Sequence, residues 1–263
     1  MPTVYRKPSM LLAELGITEP QEIDIEAIAQ YCGATIVYER LEGSEARILG
    51  NGDRAIITVN SGSPLGRKRF SAGHELGHWM RDRGKVGFAC SEEIMVSEWG
   101  SINTERSANE YAAELLLPVE MFSKQSHNKP ITFEVVRELS DIFLTSLTAT
   151  AIRLVHHGSF PSMLVYLENG RRKWFVRGDD VPELLWPLQA PRGATTAFDL
   201  LHGKTAEGAI SIQADGWIDH PRSKWYEVVE HSIRISATGI LSLIWWKDER
   251  QLLDLEAEYE VEG

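Results

Sequence analysis

The stretch Phe70-Ser71-Ala72-Gly73-His74-Glu75-Leu76-Gly77-His78-Trp79-Met80 decides how the rest of the chain is interpreted. Its apolar residues recur at helical spacing, which predicts a helix with Ser71 as the N-cap. Histidines four residues apart lie on one face of a helix, so His74 and His78 can each place a ring nitrogen on one Zn²⁺. Glu75 lies beside them and is the predicted general base, which takes a proton from water at the metal.

A helix with two histidines and a glutamate also occurs without a metal, and so short a pattern arises by chance in unrelated proteins. The surrounding sequence favours the interpretation as a metal-binding helix. Phe70 and Ala72 give the helix an apolar back, and Trp79-Met80 continues it. The small Gly77 suits close packing by a second helix. We therefore expect this helix to be half-buried.

A catalytic zinc needs a third protein ligand and leaves one position open for water. The run from Ala108 to Leu117 is strongly helical and is the second helix that we expect to pack against the first. Glu105, just before this run, is the predicted third ligand. Asn109, one turn later, can hydrogen-bond a ligating histidine.

Other acidic residues compete for the third position. Glu110 and Glu114 are the alternatives, and without a metal both would be ordinary exposed carboxylates on a helix surface. Glu105 itself can be a first-turn acidic residue that the helix dipole favours. The residues alone leave these alternatives open, with Glu105 as the first choice.

The composition limits the class of protein. A length of 263 residues fits two domains, 43% of the residues are hydrophobic, and no apolar run approaches the ~18 residues of a membrane span. Only Cys32 and Cys90 are present and no secretion signal is visible, so we expect a soluble, cytoplasmic protein that does not enter membranes. The net charge of -11 argues against extensive nucleic-acid binding.

The pattern along the chain predicts an α+β protein in three parts. Residues 1–125 combine two short helices, a small antiparallel sheet from Ala34–Tyr38 and Ala55–Val59, and the two site helices. Residues 126–158 outline a helix-turn-helix. Residues 159–263 form a separate α+β domain with one helix at 196–201 and several strands. The predicted strands are 163–167, 173–177, 209–213, 225–229 and 240–246.

From about Met10 to Pro118 the chain resembles the ImmA/IrrE metallopeptidases. The run from Arg69 to His78 resembles the signature helix of that family. Glu105 to Ala112, followed by Glu114-Leu115-Leu116-Leu117-Pro118, resembles its second motif. Two mild departures are Gly73, where the family usually has alanine, and Tyr111, where phenylalanine is common.

The resemblance implies a zincin-like fold with His74, His78 and Glu105 as metal ligands and Glu75 as general base. The implied metal is Zn²⁺, with Mn²⁺ as an alternative in vivo. The implied activity is cleavage of a specific partner protein, typically a helix-turn-helix repressor of stress genes or of a mobile element. Residues 159–263 resemble, weakly, the GAF-type sensor modules of longer family members.

The helix-turn-helix outline also suggests an alternative function, a DNA-binding transcription regulator in which the metal site is structural. Between Lys129 and Arg153 the charges balance, with three basic and three acidic side chains. A DNA-reading element normally presents a basic face, so a structural or substrate-docking role is favoured and direct DNA binding is not expected. The three acidic residues are Glu134, Glu138 and Asp141.

Weaker signals complete the set of predictions. Ala55–Asn60 is the candidate edge strand for an extended substrate, or else a plain core strand. Cys90 can be an inhibitory ligand or inert packing, with packing favoured. The histidines at 156, 157, 202, 220 and 231 show no ligand spacing. The sequence predicts neither an oxyanion donor nor an oligomeric state.

Overall fold

The computed structural model describes residues 5–82, 88–89 and 103–257. The α+β class is confirmed. The chain divides into two compact units, one of Met1–Phe122 with Ser140–Ala149 and one of Ser123–Leu139 with Thr150–Gly263. The predicted helix-turn-helix segment, 126–158, contributes residues to both units, and the three-part division stays a prediction. Cys90 lies outside the described residues.

The first unit begins with the two predicted short helices, α1 (Pro8–Glu14) and α2 (Ile25–Tyr31). The carboxylate of Asp24 caps α2 by accepting hydrogen bonds from the backbone N–H groups of Glu26 and Ala27, at 3.0 and 3.1 Å. The apolar face of α2, with Ile25 and Ile28, is buried in the core of the unit.

The sheet of the first unit contains β1 (Ala34–Glu39), β2 (Ala46–Asn51), β3 (Arg54–Asn60) and β4 (Phe88–Ala89), in the order β1-β3-β2-β4. β2 and β3 form a hairpin whose turn contains Gly52 with a φ of 62°. β1 pairs with β3 in parallel, so the predicted antiparallel pairing of these two strands was wrong. The hairpin places β2 on one side of β3, and β1 takes the other side.

The same topology corrects the prediction of the edge strand. β3, which covers Ala55–Asn60, has neighbours on both sides and is an interior strand. Within the described residues the outer strands of this sheet are β1 and β4. An extended substrate therefore has no free edge of β3 to pair with.

Three helices follow the sheet: α3 (Leu65–Asp82), α4 (Asn103–Leu116) and α5 (Val119–Ser126). The two predicted site helices are thus confirmed, but α3 begins at Leu65 and Ser71 is an interior, buried residue instead of the N-cap. The first turns of α3 carry Arg67 and Lys68 and lack the apolar repeat that marked the rest of the helix. For this reason the sequence pattern predicted that the helix begins later than it does.

The predicted helix pair is present as α6 (Phe133–Phe143) and α7 (Leu147–His157). The Ser146 hydroxyl accepts a hydrogen bond from the backbone N–H of Ala149 at 3.2 Å and so caps α7. The turn between the helices includes Leu144 with a φ of 53°. This turn packs against the start of α3, where a Cβ added to Gly66 would lie 2.6 Å from the backbone nitrogen of Ser146.

The second unit contains a sheet of five strands: β5 (Ser162–Glu168), β6 (Arg171–Arg177), β7 (Ile210–Gln213), β8 (Glu227–Arg234) and β9 (Gly239–Trp245). The sheet is antiparallel, and the strand order is β6-β5-β9-β8-β7. A helix, α8 (Thr196–Leu201), has the predicted bounds, and α9 (Arg250–Ala257) follows the last strand.

Tryptophans contribute to this unit in two ways. Trp217 and Trp246 are fully buried in its core, as predicted for aromatic residues at strand-like positions. Trp186 and Trp225 are exposed, and Trp225 ends a short 3-10 helix instead of starting a strand, which corrects the predicted start of β8. Within the described ranges, no helix has the length and apolar character needed to cross a membrane.

Candidate metal centre

Glycine and alanine bring helices α3 and α4 into close contact. A Cβ added to Gly77 would lie 3.0 Å from Cβ of Tyr111 and 3.2 Å from Cα of Ala108. One turn earlier, a Cβ on Gly73 would lie 3.3 Å from Cβ of Ala112. Small residues at this spacing on both helices let the backbones approach, which confirms the role predicted for Gly77. The contact brings α4, which carries Glu105 and Asn109, close to the histidines of α3.

The close approach brings His74, His78 and Glu105 together. Nε2 of His74 lies 3.1 Å from Nε2 of His78. The two oxygens of the Glu105 carboxylate lie 3.2 Å from Nε2 of His74 and 3.3 Å from Nε2 of His78. Within the described part of the chain, these residues form the group of three donors close enough to hold a metal ion.

The size of this donor triangle fits a small tetrahedral ion. Bonds of about 2.0–2.1 Å to a tetrahedral zinc place neighbouring donor atoms about 3.3–3.4 Å apart. The 3.1 Å between the histidine nitrogens comes within a few tenths of an ångström of that separation, and each Glu105 oxygen lies at a similar distance, 3.2 or 3.3 Å, from one of the two nitrogens. Two imidazoles and one carboxylate are also a ligand set that zinc uses in catalytic sites.

The two histidines of the cluster lower the pKa of the Glu105 carboxylate. The hydrogen bond from His74 holds the pKa of Glu105 below its usual value, and the charges of His78 and His74 act in the same direction. Partial burial opposes this effect without reversing it. The carboxylate is therefore ionised at neutral pH.

Two further polar residues complete the described centre. Glu75 follows His74 on α3, and its side chain is only 1% exposed. Asn109, on α4, places Oδ1 2.9 Å from Nδ1 of His74, so the hydrogen bond expected from the sequence is present. Both histidines are buried as well, at 1% and 6% exposure.

The rival carboxylates lie elsewhere. Glu110 is exposed and accepts a hydrogen bond from Arg106 at 2.9 Å, an ordinary surface pair one turn apart. Glu114 is half-buried and does not belong to the donor group found among the described residues. The histidines at 156, 157, 202, 220 and 231 are likewise outside this group. Of these three carboxylates, Glu105 is the one that belongs to the donor group.

Sequence reasoning assigned no role to Arg69. Its side chain anchors α3, the metal helix, which carries His74 and His78. Its buried guanidinium donates a hydrogen bond to the backbone oxygen of Ile23 at 2.9 Å. Burial lowers the pKa of Arg69, while the nearby carboxylates of Glu26 and Asp24 oppose that effect. The one sign of this role in the sequence was the position of a charged residue directly before Phe70, where the apolar face of the helix begins.

Replacing Gly77 by alanine is expected to weaken metal binding at least about tenfold and to lower the melting temperature, because overpacking costs about 1–3 kcal/mol. The added methyl meets backbone atoms of Ala108, so α4 must move and carry Glu105 with it. Zinc competition with a chromophoric chelator and thermal unfolding measure the two effects.

The matched control for this change is Gly73→Ala. Its methyl meets mainly the side chain of Ala112, so we expect a clearly smaller loss of zinc affinity. Equal losses in the two variants, or none in Gly77→Ala, would contradict the proposed role of the helix contact.

Part of the chain is similar to a known peptidase family. Residues 29–155 match the family model of the IrrE N-terminal-like domain, peptidase family M78. A transcriptional regulator from Mycobacterium tuberculosis has a similar structure, with a TM-score of 0.54 and 12% identity over 90% of this chain and 73% of that chain. At this identity the likeness shows a shared fold only. No curated protein matches the chain.

The fold and the donor group together define a metallopeptidase-type domain. More narrowly, the match over residues 29–155 confirms, for this part of the chain, the resemblance to the ImmA/IrrE metallopeptidases. The family implies a metal ion, and among the described residues His74, His78 and Glu105 form a cluster that could bind one.

Proposed function

We propose that the chain is a zinc-dependent endopeptidase of the cytoplasm that hydrolyses one specific protein. The observation that carries the proposal is the donor triangle of His74, His78 and Glu105, with Glu75 buried beside it. Three protein donors leave a tetrahedral ion one open position, as a catalytic zinc requires. Two imidazoles and one carboxylate are a ligand set of catalytic zinc sites, and manganese is the alternative in the cell.

The residues divide the chemistry between them. A zinc ion held by His74, His78 and Glu105 would act as a Lewis acid toward the scissile carbonyl and would lower the pKa of a water molecule beside it. Glu75 accepts a proton as the water oxygen forms a bond to the carbonyl carbon. It then donates that proton to the amide nitrogen, so that the C–N bond breaks and an amine leaves.

For the substrate we propose a helix-turn-helix transcriptional repressor in a stress-response or mobile-element circuit. This part rests on the resemblance to the ImmA/IrrE family. Features of this chain support a role as the enzyme and not as the DNA-binding partner. Every residue of α7 is buried or half-buried, so the helix has no exposed face of the kind that enters a DNA groove. The exposed side chains of α6 include the acidic Glu134 and Glu138.

The test is co-expression with the helix-turn-helix repressor encoded beside the gene. We expect a discrete shortened form of the repressor, with zinc at about one ion per chain in the purified peptidase. Chelation should stop cleavage, and added Zn²⁺ or Mn²⁺ should restore it. An intact repressor in the presence of the zinc-loaded chain would contradict this substrate. Chelator-resistant cleavage would contradict the metal mechanism.

The alternative function, a DNA-binding regulator with a structural metal, makes a different prediction. It requires salt-dependent binding of the chain to a defined operator, because phosphate contacts release counterions. Absence of such binding at low salt, together with metal-dependent cleavage, would reject it.

A further inference from the structure

Leu144, directly after α6, has a backbone conformation that its residue type rarely adopts. Its φ of 53° lies in the left-handed region, where a Cβ crowds the following carbonyl oxygen and where glycine is the usual residue. The backbone N–H of Thr145 donates to the Ser140 oxygen at 3.1 Å, the bond with which a Schellman turn closes a helix. Glycine would therefore end this helix with less strain than leucine does.

The strained turn holds an apolar side chain at the surface. Leu144 is 45% exposed, and Leu65, the first residue of α3, is 55% exposed. Both leucines adjoin one contact, because Gly66, which follows Leu65, meets the backbone of Thr145 and Ser146. Nearly half of Leu144 stays in water, so burial within the chain does not account for the strain. Strain of this kind, together with exposed apolar surface, is typical of a contact site for a partner.

The charge beside the two leucines is positive. The first turn of α3, Leu65-Gly66-Arg67-Lys68, carries two cations at the positive end of the helix dipole. Arg67 is exposed, and Asp141, three residues before Leu144, supplies one opposing charge. The surface therefore complements a partner segment that combines apolar and acidic side chains.

The helix that carries this surface also carries the metal ligands. Gly66 and His74 are eight residues apart on α3, which corresponds to about 12 Å along the helix axis. Arg67 precedes His74 by two helical turns, so both side chains project from one face of the helix. About four residues of extended chain span that distance, so one protein segment can occupy both places at once.

We propose that Leu65, Arg67 and Leu144 form a docking surface for the protein substrate, separate from the metal centre. The occupant is a segment of the helix-turn-helix repressor in which an apolar side chain is flanked by Asp or Glu. This inference rests on the proposed function, because it names a second contact of the same substrate. A zinc centre alone discriminates little between peptide bonds, so cleavage of one specific protein requires contacts elsewhere.

Replacement of Leu144 by glycine separates docking from a purely structural role. In either case the change relieves the left-handed strain, so the melting temperature should stay at or above that of wild type, by up to about 4 °C. A structural leucine predicts unchanged affinity for the repressor, whereas a docking leucine predicts weaker binding. Because the variant keeps its stability, weaker binding is not a result of misfolding.

The experiment measures kcat and KM of the full zinc-loaded chain for the repressor encoded beside the gene. Leu144→Gly and Leu65→Ala should raise KM about 5–20-fold and leave kcat near that of wild type, because the lost contact serves ground state and transition state equally. Arg67→Gln should raise KM about 3–10-fold at low salt and less at high salt. Leu253→Ala, the matched control, replaces a similarly exposed leucine of α9 and should have no effect.

A binding measurement gives the same comparison without catalysis. The zinc-loaded Glu75→Gln chain should bind the intact repressor, and adding Leu144→Gly should raise the Kd by the same factor as KM. Wild-type KM and Kd in the Leu144→Gly chain overturn the inference, as does a fall in kcat with unchanged KM. A lower melting temperature of this variant also overturns it, because the fold itself would then need the leucine.

Failure of the wider proposal gives a different result. If the repressor binds through Leu144 but wild type cleaves nothing, the proposed function is rejected and the docking surface stands. Metal-dependent cleavage that does not respond to Leu144→Gly rejects the docking surface alone. A chain that neither binds nor cleaves the repressor rejects both.

Discussion

Replacing Glu75 by glutamine is expected to abolish cleavage of the repressor while the zinc content stays near that of wild type. Glutamine has nearly the same shape but cannot accept a proton from water at neutral pH, and general acid–base catalysis contributes typically ~10²–10⁴-fold to rate. Glu75 is not a member of the donor group, so zinc binding should survive the change. Single-turnover cleavage with excess zinc-loaded enzyme, together with metal analysis, measures both effects.

The control for this prediction is the exposed carboxylate Glu110, changed to glutamine in the same way. Its pair with Arg106 lies on the surface and should contribute little to stability or to catalysis. Melting temperatures should confirm that both variants are folded. A Glu75→Gln enzyme that cleaves within about tenfold of wild type would show that another group moves the proton.

The part of the metal centre that lies on one helix could be predicted from the sequence. His74 and His78 share a helix face because the helical repeat fixes it, and no distant contact enters the argument. Glu105 lies on another helix, so its prediction needed the pattern of α4 and the resemblance to a family. The small residues that let the helices meet were visible only in part, since Gly77 was recognised and the contact of Gly73 with Ala112 was not.

The sheet of the first unit shows why strand pairing was harder to predict. The inward residues of β2 are Ala46, Ile48 and Gly50, and alanine and glycine carry little strand preference. Gly50 is required because Trp79 of the metal helix packs on it, and a Cβ there would lie 2.8 Å from the ring. This tertiary contact requires glycine where a strand-forming residue would have revealed β2 in the sequence. Because β2 was not predicted, the parallel pairing of β1 with β3 and the interior position of β3 were not predicted either.

The second unit was easier because its strands carry their own signal. β5 and β9 are buried along nearly their whole length and are rich in Val, Leu and Ile, as interior strands are. Trp225 misled the prediction because tryptophan has a strand preference, yet its side chain is 64% exposed at the end of a 3-10 helix. Strand propensity indicates which residue types are common in strands, but it does not fix the residue at which a strand begins.

Replacing Glu105 by alanine is expected to lower zinc affinity by more than about 100-fold, because losing a ligand costs more than losing a partner of a ligand. The same change at Glu114 or Glu110 should leave affinity near that of wild type. The three residues lie on one helix and differ little in chemistry, so the series isolates position. Chelator competition on the folded variants provides the measurement.

The outcome of this series follows from the distances alone. Both Glu105 oxygens lie within 3.3 Å of a histidine Nε2, whereas Glu110 pairs with Arg106 on the exposed side of α4. Alanine at 105 also removes the negative charge that accompanies the two buried histidines, so the variant should bind zinc weakly even at high pH. The prediction would be contradicted if Glu114→Ala lost zinc affinity while Glu105→Ala bound zinc like wild type. The third ligand would then be Glu114, on a different face of α4, and the helix would have to rotate when the ion binds.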